Sequence, residues 1–157
     1  MSALLRFMLL LTLVLWIGGI VFFSFIASPS VFKILPREQA GQVVSDMFPK
    51  YHLLGYASCL IALGCLVGLR QLGAVQSGRA AMIVLVLMGG IQVTMGTMIG
   101  PKVIDARDAV KSAASGPEKD RLEKQFRGLH GVSMILNLVL LILGLVLLYW
   151  LAIRLQL

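Results

Sequence analysis

His130, Ser133 and Asn137 stand at i, i+3 and i+7 in the stretch FRGLHGVSMILNL, so on a helix they share one face. An imidazole, a hydroxyl and an amide in line offer a nitrogen ligand for haem iron or a metal ion, and donors and acceptors for a small polar molecule. The alternative meaning of the stripe is a seam of interhelical hydrogen bonds. Such bonds average well under ~2 kcal/mol each and need no ligand.

A second set lies elsewhere in the chain. His52 follows Tyr51, with Tyr56 one turn further on, and a third apolar run carries Gln92, Thr94 and Thr97 among Met88, Met95 and Met98. His130 and His52 are the candidate metal or haem ligands, with haem b or a metal ion as the cofactor they suit. Gln92, His52 and Tyr56 join His130, Ser133 and Asn137 as candidate ligand-binding residues, and Gln92 is the expected helix-three partner of the stripe. Lys50, Lys102 and Arg127 would meet haem propionates. The histidine spacing is diagnostic of no particular metal, and methionine stripes are more often packing filler than ligands. No nucleophile–base set, phosphate loop or paired carboxylate is present, and all seven acids fall in connections. Catalysis by protein groups alone is not expected, nor is charge-coupled transport.

The surroundings of these residues are those of a membrane protein. Of 157 residues, 59% are hydrophobic and 13% charged, and mean hydropathy is +0.93, against roughly a quarter charged in a soluble domain. The net charge of +7 does not point to nucleic acid, because the cations cap apolar runs and are not interleaved with stacking aromatics. There they act as headgroup anchors, with the lipid bilayer as the first partner. Cys59 and Cys65 are six apart and point about 120° away from each other on a helix, which argues against a disulfide between them. The apolar run Leu9 to Ala27 is longer than a signal-peptide core and ends before Pro29, so it is read as a retained helix.

Four runs are long enough to span about 30 Å of hydrocarbon: residues 4–27, 51–70, 80–100 and 128–153. Short connections make them one antiparallel four-helix transmembrane bundle, an all-α fold over residues 1–157. Between helices one and two, Ala40, Val43, Val44 and Met47 recur at amphipathic spacing, which predicts a short interfacial helix ended by Pro49. Between helices three and four, residues 103–127 predict a charged helical hairpin that extends both helices beyond the bilayer. It is broken at SGPE with a capping-box spacing, and i,i+4 pairs are expected at Asp120–Lys124 and Glu123–Arg127. Gly64 with Gly68, and Gly96 with Gly100, mark helix-packing faces. Packing within the chain is their first meaning; a homo-oligomer or a membrane-complex partner is the second. Ten of the 14 cations lie on the side of the two structured connections, which the positive-inside count makes cytoplasmic; the acids lie there too.

Several segments together resemble a known family. LWIGGIVFFSFIASPSVFKILPREQAGQVVSDMFPKYH, the exit GPK of the third run and FRGLHGVSMILN are similar to the transmembrane-protein-205-like family, also catalogued as domain of unknown function 4149. The resemblance covers essentially the whole chain. It implies a four-helix membrane protein and brings no activity. His130, Gly131, Ser133 and Asn137 match its motif positions, as do Pro29, Phe32, Leu35, Pro36, Arg37, Gly41, Phe48 and Pro49. The expected function is binding of a small ligand, haem or metal in a polar pocket near one interface of a bacterial inner membrane. The alternative is a structural or accessory subunit whose polar residues only fix helix register.

Overall fold

In a computed structural model, residues 1–75 and 78–154 are described. They form four long helices: α1, Ser2–Ile34; α2, Arg37–Gln71; α3, Arg79–Ser112; and α4, Pro117–Arg154. At 1.5 Å per residue these rods are about 50–57 Å long, about 20–27 Å more than the hydrocarbon is thick. All four are long and apolar enough to cross a membrane, and the chain is an integral membrane protein of all-α bundle fold. Leu4, Phe7, Phe22, Leu60, Ile83 and Ile142 face outward, where lipid is their solvent.

Turn chemistry sets the helix ends. Leu35 is extended ahead of Pro36, which opens α2. At the far end of α2, Gly73 has φ +65°. Its N–H meets Arg70 O at 3.0 Å and Ala74 N–H meets Leu69 O at 3.0 Å, a Schellman closure that wants glycine. Gly116, at φ +145°, turns the chain into Pro117 at the start of α4.

α1 packs on α2 and α4, and α3 packs on the same two. The order around the bundle is therefore 1-2-3-4, with α2 and α4 on one diagonal. The core is filled by Leu9, Leu13, Trp16 and Ile20 of α1, Leu66 and Leu69 of α2, Leu85 and Met88 of α3, and Leu140 and Leu151 of α4.

Two helices carry π turns: Phe22–Ala27 in α1 and Met95–Ile99 in α3. Each stands just before a proline, Pro29 or Pro101, whose missing N–H and ring clash disturb the i−4 ladder at Phe25 or Thr97. The chain re-pairs five residues back instead, Ser28 N–H to Phe23 O and Gly100 N–H to Met95 O. A π turn rotates the residues that follow it, so it resets which side chains face the bundle.

The expected interfacial helix is present but not separate. Residues 37–49 run without a break into the second span, and Pro49 lies inside α2. One lost backbone bond is tolerated because Phe48 and Tyr51, on either side of the proline, both pack on Phe23, at ring distances of 5.3 and 4.9 Å. The expected hairpin is helical: α3 and α4 run on to a tip at residues 113–116. Glu123–Arg127 pairs at 3.6 Å. Asp120–Lys124 is not among the ion pairs of the described residues, and Glu118 pairs with Arg121 at 3.2 Å.

Two of the four small residues, Gly68 and Gly96, stand against another helix of the chain. A Cβ on Gly96 would overlap Tyr56, one on Gly100 would crowd Met95 O, and one on Gly68 would meet Leu5 of α1, whereas one on Gly64 would meet nothing. Gly41, in the first part of α2, receives Arg107 of α3. The guanidinium donates to Gly41 O and to Ser45 Oγ, and Lys111 pairs with Glu38 at 3.3 Å. Arg107 is half-buried and holds the first part of α2 against the last part of α3. Arg107→Ala should cost about 1.5–3 kcal/mol, because a charged donor leaves partly buried acceptors behind. Lys111→Ala should cost at most ~1 kcal/mol, since its partner is exposed. Thermal midpoints of the two variants in detergent check the ordering.

Candidate functional site

The polar residues of the four helices collect between the two π turns, but they form two constellations. The first joins α2 and α3. His52 is buried, and its Nδ1 lies 3.0 Å from Nε2 of Gln92, which has no exposed surface. Tyr56 stacks below His52 with ring centroids 6.3 Å apart. Gly55 and Gly96 leave the room: a Cβ at either would collide with the Gln92 amide or the Tyr56 hydroxyl. Gln92 Oε1 is buried without a partner. The site is a packed hydrogen-bonded seam.

The second constellation joins α1, α2 and α4. Tyr51 reaches across the diagonal of the bundle and donates its phenol proton to Asn137 Oδ1. Asn137 Nδ2 in turn donates to Ser24 Oγ at 2.7 Å. Ser24 sits inside the α1 π turn, which is what brings its hydroxyl to the helix-four side. Beside this chain a groove of about 410 Å³ separates α1 from α4. Ile20, Phe23, Phe48, Met95 and Leu141 form its apolar wall, and Ser24, Ser28, Tyr51, His130, Ser133 and Asn137 supply its polar groups. The volume falls within the range of small-molecule pockets, about 300–1,000 Å³. His130 is exposed at one end and stacks on Phe126, with ring centroids 5.8 Å apart.

The three-residue stripe of α4 therefore shares one face and one groove, as its spacing predicts. Its partner differs from the expectation. Gln92 does not meet it, because Gln92 is turned to His52; Asn137 finds Tyr51 and Ser24 instead. Thr94 and Thr97 bond back to the carbonyls of Gly90 and Val93 at 2.9 and 2.7 Å. His52 and Tyr56 do not line the groove, so the two histidines are not brought into one cavity. No group of three or more His, Cys, Asp or Glu able to hold a metal ion occurs among the described residues. Sequence reasoning missed Ser24 and Ser28, and grouped Tyr51 with His52 and not with Asn137. The available signal was Pro29 inside an apolar helix, which implies a bulge on its N-terminal side that turns Ser24 inward.

The His52–Gln92 pair has a sharp energetic signature. Removing one member strands the other in a dry interior, so Gln92→Leu or His52→Phe alone should cost about 1–3 kcal/mol. The double variant should be less destabilised than the sum of the two, as thermal unfolding in detergent across the double-mutant cycle can show.

A family model described as Domain of unknown function (DUF4149) matches residues 11–112, close to two thirds of the chain. That span holds Ser24, Tyr51, His52 and Gln92, and ends before α4. An "Uncharacterized protein" of Aquifex aeolicus (strain VF5) is 50% identical over 46 residues, covering 29% of this chain. The match spans about a third of that relative's length, 33%. No solved structure matches the chain.

Proposed function

The chain belongs to the family Domain of unknown function (DUF4149), and for this member we propose that it holds one small, membrane-soluble molecule in the groove between α1 and α4. One observation carries this reading. The hydroxyls of Ser24, Ser28 and Ser133 and the ring of His130 all line one cavity, and among the described residues none of them donates a hydrogen bond. Polar groups in a membrane protein ordinarily find partners; here a ligand head would provide them. Binding, not catalysis, is the proposed role. A haem held here would take a single imidazole, His130, from this chain. The bacterial relative supports placement in a bacterial inner membrane. Kinship with the transmembrane-protein-205-like proteins rests on the SPS, LPR, GPK and HGVSMILN segments and adds no activity.

Purification in mild detergent, solvent extraction and mass spectrometry of the extract test the proposal. One species should be enriched near one per chain in the wild type and depleted in Asn137→Leu. Extracts that match bulk membrane lipid in both proteins would sink it. An oxidised and dithionite-reduced absorption spectrum reads the haem case: a Soret band that shifts on reduction and disappears in His130→Ala identifies haem as the species.

A second reading is favoured by the His52–Gln92 seam: a structural or accessory subunit whose polar residues fix helix register. Under it, Asn137→Leu lowers thermal stability and the extract does not change.

A further inference from the structure

We infer that the groove takes a neutral amphiphile dissolved in the bilayer, presenting a carbonyl-type oxygen to Ser24 and entering sideways between α1 and α4; this rests on the ligand reading above. The hydrogen-bond chain has a direction. Tyr51 donates to Asn137 and Asn137 donates to Ser24, so each group's acceptor is occupied by the one before it. A serine hydroxyl has one proton to give, and Ser24 gives its proton to no described residue. The chain thus ends in a spare donor facing the groove, polarised by the two bonds behind it. What it calls for is an acceptor.

The remaining lining narrows the class. None of the residues around the groove is Asp, Glu, Lys or Arg, and its one imidazole, His130, lies at the exposed end, so a charged head seated against Ser24 would be desolvated without a partner. Phe23 and Phe48 offer aromatic surface on the inner wall, with ring centroids 5.3 Å apart in an edge-to-face pair. The rim is made by Phe25, Met134, Ile135 and Leu138, which are 63%, 61%, 64% and 51% exposed. These side chains face the hydrocarbon, so the mouth opens to lipid and an apolar tail can stay in the bilayer while the head sits against Ser24. A flat, neutral ring with a carbonyl oxygen and an alkyl tail meets every one of these conditions.

The full chain in phosphatidylcholine nanodiscs, titrated with decylubiquinone and with decylbenzene, tests this by native mass spectrometry. Decylubiquinone should bind one per chain and decylbenzene about tenfold more weakly or not at all. Ser24→Ala should weaken decylubiquinone about three- to tenfold, as loss of one hydrogen bond does, and leave decylbenzene unchanged. Thermal unfolding of Ser24→Ala guards against simple misfolding. Equal binding of the two probes, no effect of Ser24→Ala, or stronger binding of phosphatidylglycerol than of decylubiquinone would overturn the carbonyl assignment while the groove still binds. Absence of any adduct in wild type, unchanged by Ser133→Trp, would overturn the ligand reading as well.

Discussion

Gly96→Val should destabilise the bundle more than any other single glycine substitution in α3 outside position 89. The α-hydrogen of Gly96 faces the Tyr56 hydroxyl, and a Cβ there would lie 3.0 Å from the phenol ring carbon and 3.1 Å from His52 Cγ, besides overlapping the hydroxyl itself. Relief requires Tyr56 to swing out or α3 to withdraw from α2, and withdrawal would also pull Gln92 away from His52. Overpacking alone costs about 1–3 kcal/mol, and a stranded imidazole adds to it. Gly131→Ala is the contrast. Nothing lies within 4 Å of a Cβ at Gly131, so that change should be neutral or slightly stabilising. Thermal midpoints in one detergent compare the two directly. Similar midpoints would mean that α2 and α3 do not meet through Gly96.

Ser133→Trp should abolish ligand retention while leaving the fold intact. Ser133 is half-buried, lines the groove and makes no hydrogen bond among the described residues, so the fold loses little with it. An indole there fills the space between α1 and α4 and displaces any occupant. The stability change should stay within about 1 kcal/mol, because the groove accepts the ring without compressing the core. Ser133→Ala, which empties no more than a hydroxyl, should weaken binding by tenfold at most. Loss of the ligand in the tryptophan variant with retention in the alanine variant distinguishes occupancy of the groove from a general effect on folding.

The four long apolar helices, the helical hairpin that joins the last two and the shared face of His130, Ser133 and Asn137 were legible because each depends on spacing along the chain. What lies across from a face depends on the order of helices around the bundle and on local helix phase. The sequence suggests Gln92 as partner of Asn137 because the two lie at similar depth on neighbouring helices, yet Gln92 faces α2 and is claimed there by His52. Asn137 turns to Ser24, whose orientation comes from a π turn that a count of 3.6 residues per turn does not foresee. The prolines after FFSFIA and MGTMI are the trace those turns leave in the sequence. Continuity of α2 through Pro49 was hidden for a related reason. The proline's cost is local, while the Phe23 contacts that offset it come from another helix. Arg107 was equally obscure as a tie to Gly41 and Ser45, because in a charge-rich segment it reads as one more solvated cation.

Native mass spectrometry of the detergent-purified full chain, wild type beside Ser133→Trp, tests the central claim most directly. A bound groove predicts a non-detergent adduct at one per chain in the wild type, surviving moderate collisional activation, and its disappearance in the tryptophan variant at unchanged thermal midpoint. The same adduct on both proteins, or none on either, would contradict it and leave the polar residues as an interhelical seam.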